Sequence, residues 1–264
     1  MKKACFPLLL ALILPILSMG QRARTFTPDN GLQNTQINSI YQDPKGFVWV
    51  CTEGGLLKFD GVGFEAFRHD REKPNSIISE SVTRIYEDSK GVKWVGTASG
   101  LDVFDSEYNT FSHVDLHDGR SPSSSQFISD ILEVPDRISG SHLFVSTGGY
   151  GVYVIDVDSK EPLDDLRAKI YSSFGGEFVK FLFLDSSRRI WIISDDQEEI
   201  RILDADTLEP ASDVSFSSDL SAELGKIRIN VIMEDPIGKK IIIGTSSHGI
   251  LVYDPELKTI RHAL

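Results

Sequence analysis

One stretch of this sequence recurs in register. Residues 37–60 and 82–105 carry the same side chains at the same places: Asp43 and Asp88, Gly46 and Gly91, Trp49 and Trp94, Thr52 and Thr97, Asp60 and Asp105, each pair 45 residues apart. A repeat of this period belongs to solenoids, propellers or arrays, in which each unit buries its faces against the next. Three eroded copies follow, closing on Asp156, Asp204 and Asp254 at spacings of 51, 48 and 50 residues. In every copy five residues separate the position of Gly55 from the closing aspartate, as in Gly100 and Asp105, Gly151 and Asp156, or Gly249 and Asp254. That segment has a fixed length, so the length differences fall in turns.

Each copy reads as short strands between turn signals. Residues 37–42 are rich in β-branched and aromatic side chains, Asp43-Pro44-Lys45-Gly46 is a tight turn with glycine where positive φ is needed, and residues 47–52 return as the second strand. Residues 56–60 supply a third strand. The spaced aromatics Phe64 and Phe67, echoed by Tyr108 and Phe111, mark a fourth. Four antiparallel strands per unit of about 45–50 residues is the pattern of a β-propeller, because radial stacking covers both faces of each small sheet. The expected fold is therefore all-β: a β-propeller with five blades present, at about 36–69, 81–114, 127–172, 178–217 and 228–262. A β-helix needs far shorter repeats, and helical repeats need a 3.6-residue periodicity that the chain lacks. Residues 160–166 and 220–224 read as single turns in linkers.

The recurring residues have structural explanations. Trp49, Trp94 and Trp191 occupy one equivalent position, with Phe144 and Ile242 in the other copies, as packing between adjacent sheets requires. Asp43, Asp88, Asp185 and Asp235 precede the hairpin turn, where a carboxylate accepts the amides that follow it. Catalysis needs one unique site, and no nucleophile elbow, phosphate loop, paired-cysteine spacing or His-Glu-x-x-His occurs. No catalytic residue, cofactor or metal is expected. His113, Asp115 and His117 are close in sequence, but they sit in a connection beside a serine run and read as solvated.

Composition narrows the setting. The chain has 264 residues and a formal net charge of −12, which disfavours nucleic acid and anionic lipid unless a local positive patch reverses it. Lys2 and Lys3, an apolar run over 6–17 and small residues up to Gly20 read as a secretory signal peptide over 1–20, too short to span a bilayer. Cys51, the remaining cysteine, lies in an apolar run with no base nearby and reads as a packed core thiol.

The motif Asp-x-x-Gly-x-x-Trp-Val-Gly-Thr-x-x-Gly-Leu-x-x-Phe-Asp over 88–105, with the lead-in Asp29-Asn30-Gly31-Leu32 and onward to Ile37, resembles the two-component regulator propeller repeat. It is specific in the first two copies, which share Tyr41 and Tyr86, and looser afterwards. Glu133-Val134-Pro135 replaces the turn aspartate in the third copy, and residues 195–199 replace Thr-x-x-Gly in the fourth. The resemblance implies the periplasmic sensor region of a hybrid histidine kinase, in which paired seven-bladed propellers precede an immunoglobulin-like domain, an inner-membrane helix and the kinase. On that footing the five copies are the N-terminal portion of a longer sensor, because the fifth copy already has its own fourth strand at 258–261. The segment Arg24-Thr25-Phe26-Thr27 is then the strand that seals a blade not present here. Five blades closing on themselves is the other arrangement.

The functional expectation is a ligand-sensing module without chemistry of its own, responding to a carbohydrate. One position on the first strand is polar in every copy: Asn38, Thr83, Ser129, Lys180 and Asn230. Those five residues are the candidate ligand contacts at a central channel mouth. Partners would be an oligosaccharide, further blades and downstream sensor domains, with a homodimer in the full-length sensor. The alternatives are an exported propeller lyase or hydrolase acting on a polysaccharide, and a protein-interaction scaffold.

Overall fold

A computed structural model describes residues 24–32, 34–116, 126–136, 140–157, 169–170, 178–194, 200–211 and 227–263. The export segment 1–20, His117 and the stretches 160–166, 195–199 and 220–224 lie outside the described residues. The chain divides into two units, Met1–Gln33 and Asn34–Leu264. In the first, the Arg24 guanidinium lies over the Phe26 ring and a short 3-10 turn spans Pro28–Asn30. Residues 24–27, expected to form a strand, take none. A lone extended segment is a strand only when a partner accepts its hydrogen bonds.

The second unit is built of five antiparallel sheets, each ordered as its strands follow in sequence. The first contains β1 (Ile37–Gln42), β2 (Val48–Thr52), β3 (Gly55–Phe59) and β4 (Phe64–Phe67). The second contains β5 (Val82–Glu87), β6 (Lys93–Thr97), β7 (Leu101–Asp105) and β8 (Thr110–Val114). The third holds β9 (Ile128–Pro135), β10 (Ser141–Thr147), β11 (Gly151–Asp156) and the short β12 (Lys169–Ile170). The fourth holds β13 (Val179–Leu184), β14 (Arg189–Ser194) and β15 (Ile200–Asp204). Beyond β15 the chain turns back, and Pro210 bridges to Leu203 before the described residues pause. The fifth holds β16 (Ile229–Glu234), β17 (Ile241–Thr245), β18 (Ile250–Asp254) and β19 (Thr259–His262).

Alternation of side chains across the second strand explains the stacking. On β6, Trp94 enters a core with Ile128, Ile131 and Leu143 of the third sheet, while Val95 enters the core shared with Trp49 and Cys51 of the first. Period-two geometry sends successive residues to opposite faces, and both faces are covered, so all five residues of β6 are buried. Four such cores join the five sheets in sequence. Each pairs the tryptophan-side face of one sheet with the opposite face of the next. Trp49 meets Phe104 edge-on at 5.2 Å and Trp191 meets Tyr253 at 5.8 Å, the same contact three repeats apart. Close approach also limits side-chain size: a Cβ on Gly96 would come within 2.7 Å of the Ile128 side chain.

The turn chemistry is repeated with the same precision. Asp43 Oδ1 accepts the amides of Lys45 and Phe47, and Asp88 Oδ1 accepts those of Lys90 and Val92. The second oxygen takes the indole N–H six residues on: Trp49 to Asp43 at 3.0 Å, Trp94 to Asp88 at 2.9 Å, Trp191 to Asp185 at 2.9 Å. One carboxylate thus fixes both the turn and the buried tryptophan of its sheet. The third copy has neither partner, carrying Val134 and Phe144 instead, both buried.

Candidate functional site

The five polar positions of the first strands share one backbone device. In each sheet the register between first and second strand slips at that residue: Ile37 pairs Thr52 and Ser39 pairs Cys51, leaving Asn38 out, and the same slip skips Thr83, Ser129, Lys180 and Asn230. A β-bulge leaves one residue unpaired and re-aims its side chain. Here it aims sideways, since the first strands of consecutive sheets are neighbours.

Asn38 Nδ2 donates to the Val82 carbonyl at 2.8 Å, Thr83 Oγ1 to that of Ile128 at 2.6 Å, and Lys180 Nζ to that of Ile229 at 3.0 Å. Ser129 Oγ donates to the Val179 carbonyl. Four candidate ligand contacts are therefore engaged as staples between sheets, each reaching the first residue of the next first strand. Asn38 also donates to Glu53, whose carboxyl is held below its usual value by hydrogen bonds from Ser81 and Asn38. Asn230 is exposed and makes no side-chain hydrogen bond among the described residues. The structure thus brings the five residues to equivalent places along the line of first strands, with Asn230 left open to solvent.

Beside the staples runs an ion pair that the sequence did not single out. Asp130 is buried, and its carboxylate meets Arg84 Nε at 2.7 Å, the Leu182 amide at 3.0 Å and its own neighbour's amide, that of Ile131, at 2.9 Å. Burial pushes its carboxyl above the ordinary aspartate range even though Arg84 and the two amides oppose that. One side chain thereby links the second, third and fourth sheets. The signal available in the sequence was departure from the repeat, because the equivalents of Asp130 are Ser39, Arg84, Phe181 and Val231.

Two more departures mark buried charge. Lys93 stands where other copies carry Val48, Leu143, Ile190 and Ile241; its ammonium lies 2.8 Å from Glu87 and 3.7 Å from Asp43 of the preceding sheet. Burial tends to raise the Asp43 carboxyl, but the Trp49 indole, the Phe47 amide and Lys93 outweigh it and hold it below the usual range. Tyr41, hydrogen-bonded to Glu87, is pushed up to about 12 by burial and by that carboxylate. Asp102, fully buried where other copies have Leu57, Tyr153, Arg201 and Leu251, pairs with His113 Nδ1 at 2.6 Å. His113 Nε2 faces the Pro74 carbonyl at 3.0 Å. Both ring nitrogens are engaged within the fold, and the hydrogen bond to Asp102 is the chief cause that raises the imidazole above its ordinary value. Among the described residues no group of three or more His, Cys, Asp or Glu is arranged to hold a metal ion. Cys51 is buried, and burial pushes its thiol up to about 12.

Antiparallel sheets of three or four described strands, stacked in sequence with tryptophan at the same core position in three of them, define an all-β protein of the β-propeller type. Comparison with known proteins gives the same class. Residues 31–54, the lead-in and the first two strands of the first copy, match the family described as two component regulator propeller. Over 54 residues the chain is 43% identical to histidine kinase P4 of Formosa agariphila, a match covering 20% of this chain and 4% of that protein. Among solved structures, the extracellular domain of the putative hybrid two component system BT3049 from B. thetaiotaomicron superposes with a TM-score of 0.69 at 22% identity, covering 90% of this chain and 31% of that one. The corresponding domain of BT4673 from the same organism gives 0.68 at 19% identity, covering 91% of this chain and 33% of that one. The β-propeller domain of Cps50 (Swd1) from Myceliophteria thermophila gives 0.55 at 14% identity, covering 86% and 73%. The chain spans about a third of the two-component structures and a small fraction of the kinase.

Proposed function

We propose that this chain is the sensor portion of a two-component signalling protein, exported by the segment 1–20 to the periplasm, and that it binds a carbohydrate without transforming it. The observation that carries the reading is the two component regulator propeller match over 31–54, in a chain that repeats the matched motif. The structural neighbours, described as extracellular domains of hybrid two component systems, support the same role and location. Bound sugar would signal by favouring one arrangement of propeller and downstream domains over another, which requires only a difference in affinity between the two.

In this reading the sheets belong to a seven-bladed propeller. Support comes from the two outermost sheet faces: Ile37 and Ile40 are 41% and 62% exposed, whereas their equivalents Val82 and Ile85 are 0% and 4% exposed. Val231, Met233 and Ile250 are exposed on the fifth sheet. Further sheets would cover both faces, and Asn230 would then staple to the next first strand as Asn38 does. The line of bulge residues Asn38, Thr83, Ser129, Lys180 and Asn230 would border the channel mouth where a sugar docks, with downstream domains and a second copy as partners in the whole sensor.

The test is a glycan array followed by calorimetric titration of the complete extracellular region. Saturable binding of a sugar with no product formed is expected. Turnover of a polysaccharide would replace the sensor with an exported hydrolase or lyase, and silence towards every glycan would favour a scaffold.

A further inference from the structure

Residues 68–81 link β4 to β5 and are tied to the outer strands of the sheet they lead into. Ile77 anchors this connection in the core shared by the first two sheets. The rest is held by one pair of side chains. Asp102 on β7 and His113 on β8 stand opposite each other in the strand pairing, with His113 Nδ1 and Asp102 Oδ1 2.6 Å apart. The other Asp102 oxygen accepts the Ile78 amide at 2.8 Å, and His113 Nε2 lies 3.0 Å from the Pro74 carbonyl. Next to Pro74, the Phe111 amide donates to the Asn75 carbonyl at 2.8 Å.

The repeat does not need this pair to build its sheet. The same two positions hold Leu57 with Ala66, Tyr153 with Ile170 and Leu251 with His262 in other copies. What the second copy gains is a proton-dependent contact. Asp102 is fully buried, whereas the His113 side chain is 39% exposed and can exchange protons with solvent.

A neutral imidazole has a single N–H. Placed on Nε2, it leaves the Nδ1 lone pair against a buried carboxylate; placed on Nδ1, it leaves the Nε2 lone pair against the Pro74 carbonyl. Keeping both contacts takes one more proton, carried by the ring or by Asp102. The Asp102 contact is the shorter and the more buried, so loss of that proton settles the remaining N–H on Nδ1. Pro74 then has no donor, while Ile78 keeps its acceptor. The other charged groups around the pair are few. His69, at the start of the connection, acts on Asp102 through space and is bonded through Nδ1 to the Ile77 carbonyl at 2.9 Å. Asp70 and Lys73 pair with each other at 3.4 Å, and Arg68, Arg71, Glu72 and Glu80 are exposed. On β6 the residue opposite Asp102 is Val95.

We propose that Asp102 and His113 form a pH-operated latch on the 68–81 connection, closed while the pair carries its extra proton and released at Pro74 when that proton leaves. Both groups hold protons more tightly than usual: burial raises the Asp102 carboxyl, and the hydrogen bond to Asp102 raises the His113 ring. Shifts of that sign stabilise the closed form at low pH and are lost as pH rises through the raised His113 value, above about 6.5. Release frees one wall of a cleft of about 470 Å³, lined by Asn75 and Ser76 of the connection and by Thr110 and Phe111 of β8. The latch does not depend on the sensor reading.

The test is amide hydrogen exchange of the 264-residue protein from about pH 6 to about pH 9, expressed as protection relative to an unstructured chain at each pH, with nitrogen NMR of the His113 ring. Protection of the Phe111 amide is expected to fall about fivefold, the loss of one net hydrogen bond, while that of Ile78 holds. The ring should become the Nδ1–H tautomer with the same midpoint. His113→Gln, which does not titrate, should abolish the change at Phe111, and His69→Gln should preserve it. Phe111 protection that ignores pH, or that falls equally in His113→Gln, would overturn the latch. Should that variant not fold, the unaltered protein decides, because ring titration and Phe111 release with different midpoints would overturn it as well.

Discussion

At the residue scale the most informative pair is the aspartate and tryptophan six positions apart. Asp88 supplies one oxygen to two turn amides and the other to the Trp94 indole, and Asp88 and Trp94 are both buried. Replacing one partner leaves a buried donor or acceptor unmet, which costs about 1–3 kcal/mol, whereas removing both is cheaper than the sum. Asp88→Asn keeps an oxygen for the turn but puts an N–H₂ against the indole. The Asp88→Asn and Trp94→Phe cycle, followed by urea unfolding, should show a coupling of about 1–2 kcal/mol. Additive losses would mean the indole bond does not matter. The third copy supports the expectation, since Val134 and Phe144 lack the acceptor and the donor together. The sequence displayed the recurrence of both residues and their core and turn roles. It did not display the bond between them, because each role was already sufficient to explain its residue.

At the scale of the element, strands and turns were legible and the bulge was not. Residues 37–42 form β1 as read, and glycine at positive φ closes the turns at Gly46 and Gly91 (φ 91° and 81°). Arg188 takes the equivalent place in the fourth copy at φ 61°, a strained choice for a residue with a Cβ. A polar side chain on a first strand looks the same in sequence whether it faces a channel or a neighbouring sheet. The choice is made by a one-residue slip in pairing whose partner carbonyl lies 44–50 residues away. The staple makes a contrasting forecast for two equivalent positions. Thr83→Val, which keeps the shape and removes the hydroxyl, should cost about 1 kcal/mol, while Asn230→Ala should cost about 0.5 kcal/mol or less. Equal losses in thermal or urea unfolding would mean that the sideways bond carries no stability.

At the scale of the whole molecule, stability is spread along the order of the sheets. Each core joins two consecutive sheets, so the second, third and fourth have neighbours on both faces while the first and fifth have an apolar face in water. In arrays of this kind stability approximates a sum of unit and nearest-neighbour contributions. Native-state hydrogen exchange should then show the slowest amides in β6 and β10 and faster exchange in β2 and β17, despite their equal places within a sheet. Uniform protection across all four strands would mean that the first and fifth sheets are covered in solution. The repeat announced the stacking in the sequence. It could not announce the cross-links at Asp130, Lys93 and Asp102, because each is unique to one copy and depends on which sheets lie beside it.

The two faces of each sheet also differ from one another, and that asymmetry governs how such units can associate. A surface made of Ile37 and Ile40 finds its complement in an indole-bearing surface, as Val82 and Ile85 do within the molecule, and not in a second version of itself. Contacts of this head-to-tail sort have a polarity, like that of a screw thread. They terminate only by returning to their starting point, and otherwise they propagate into a filament.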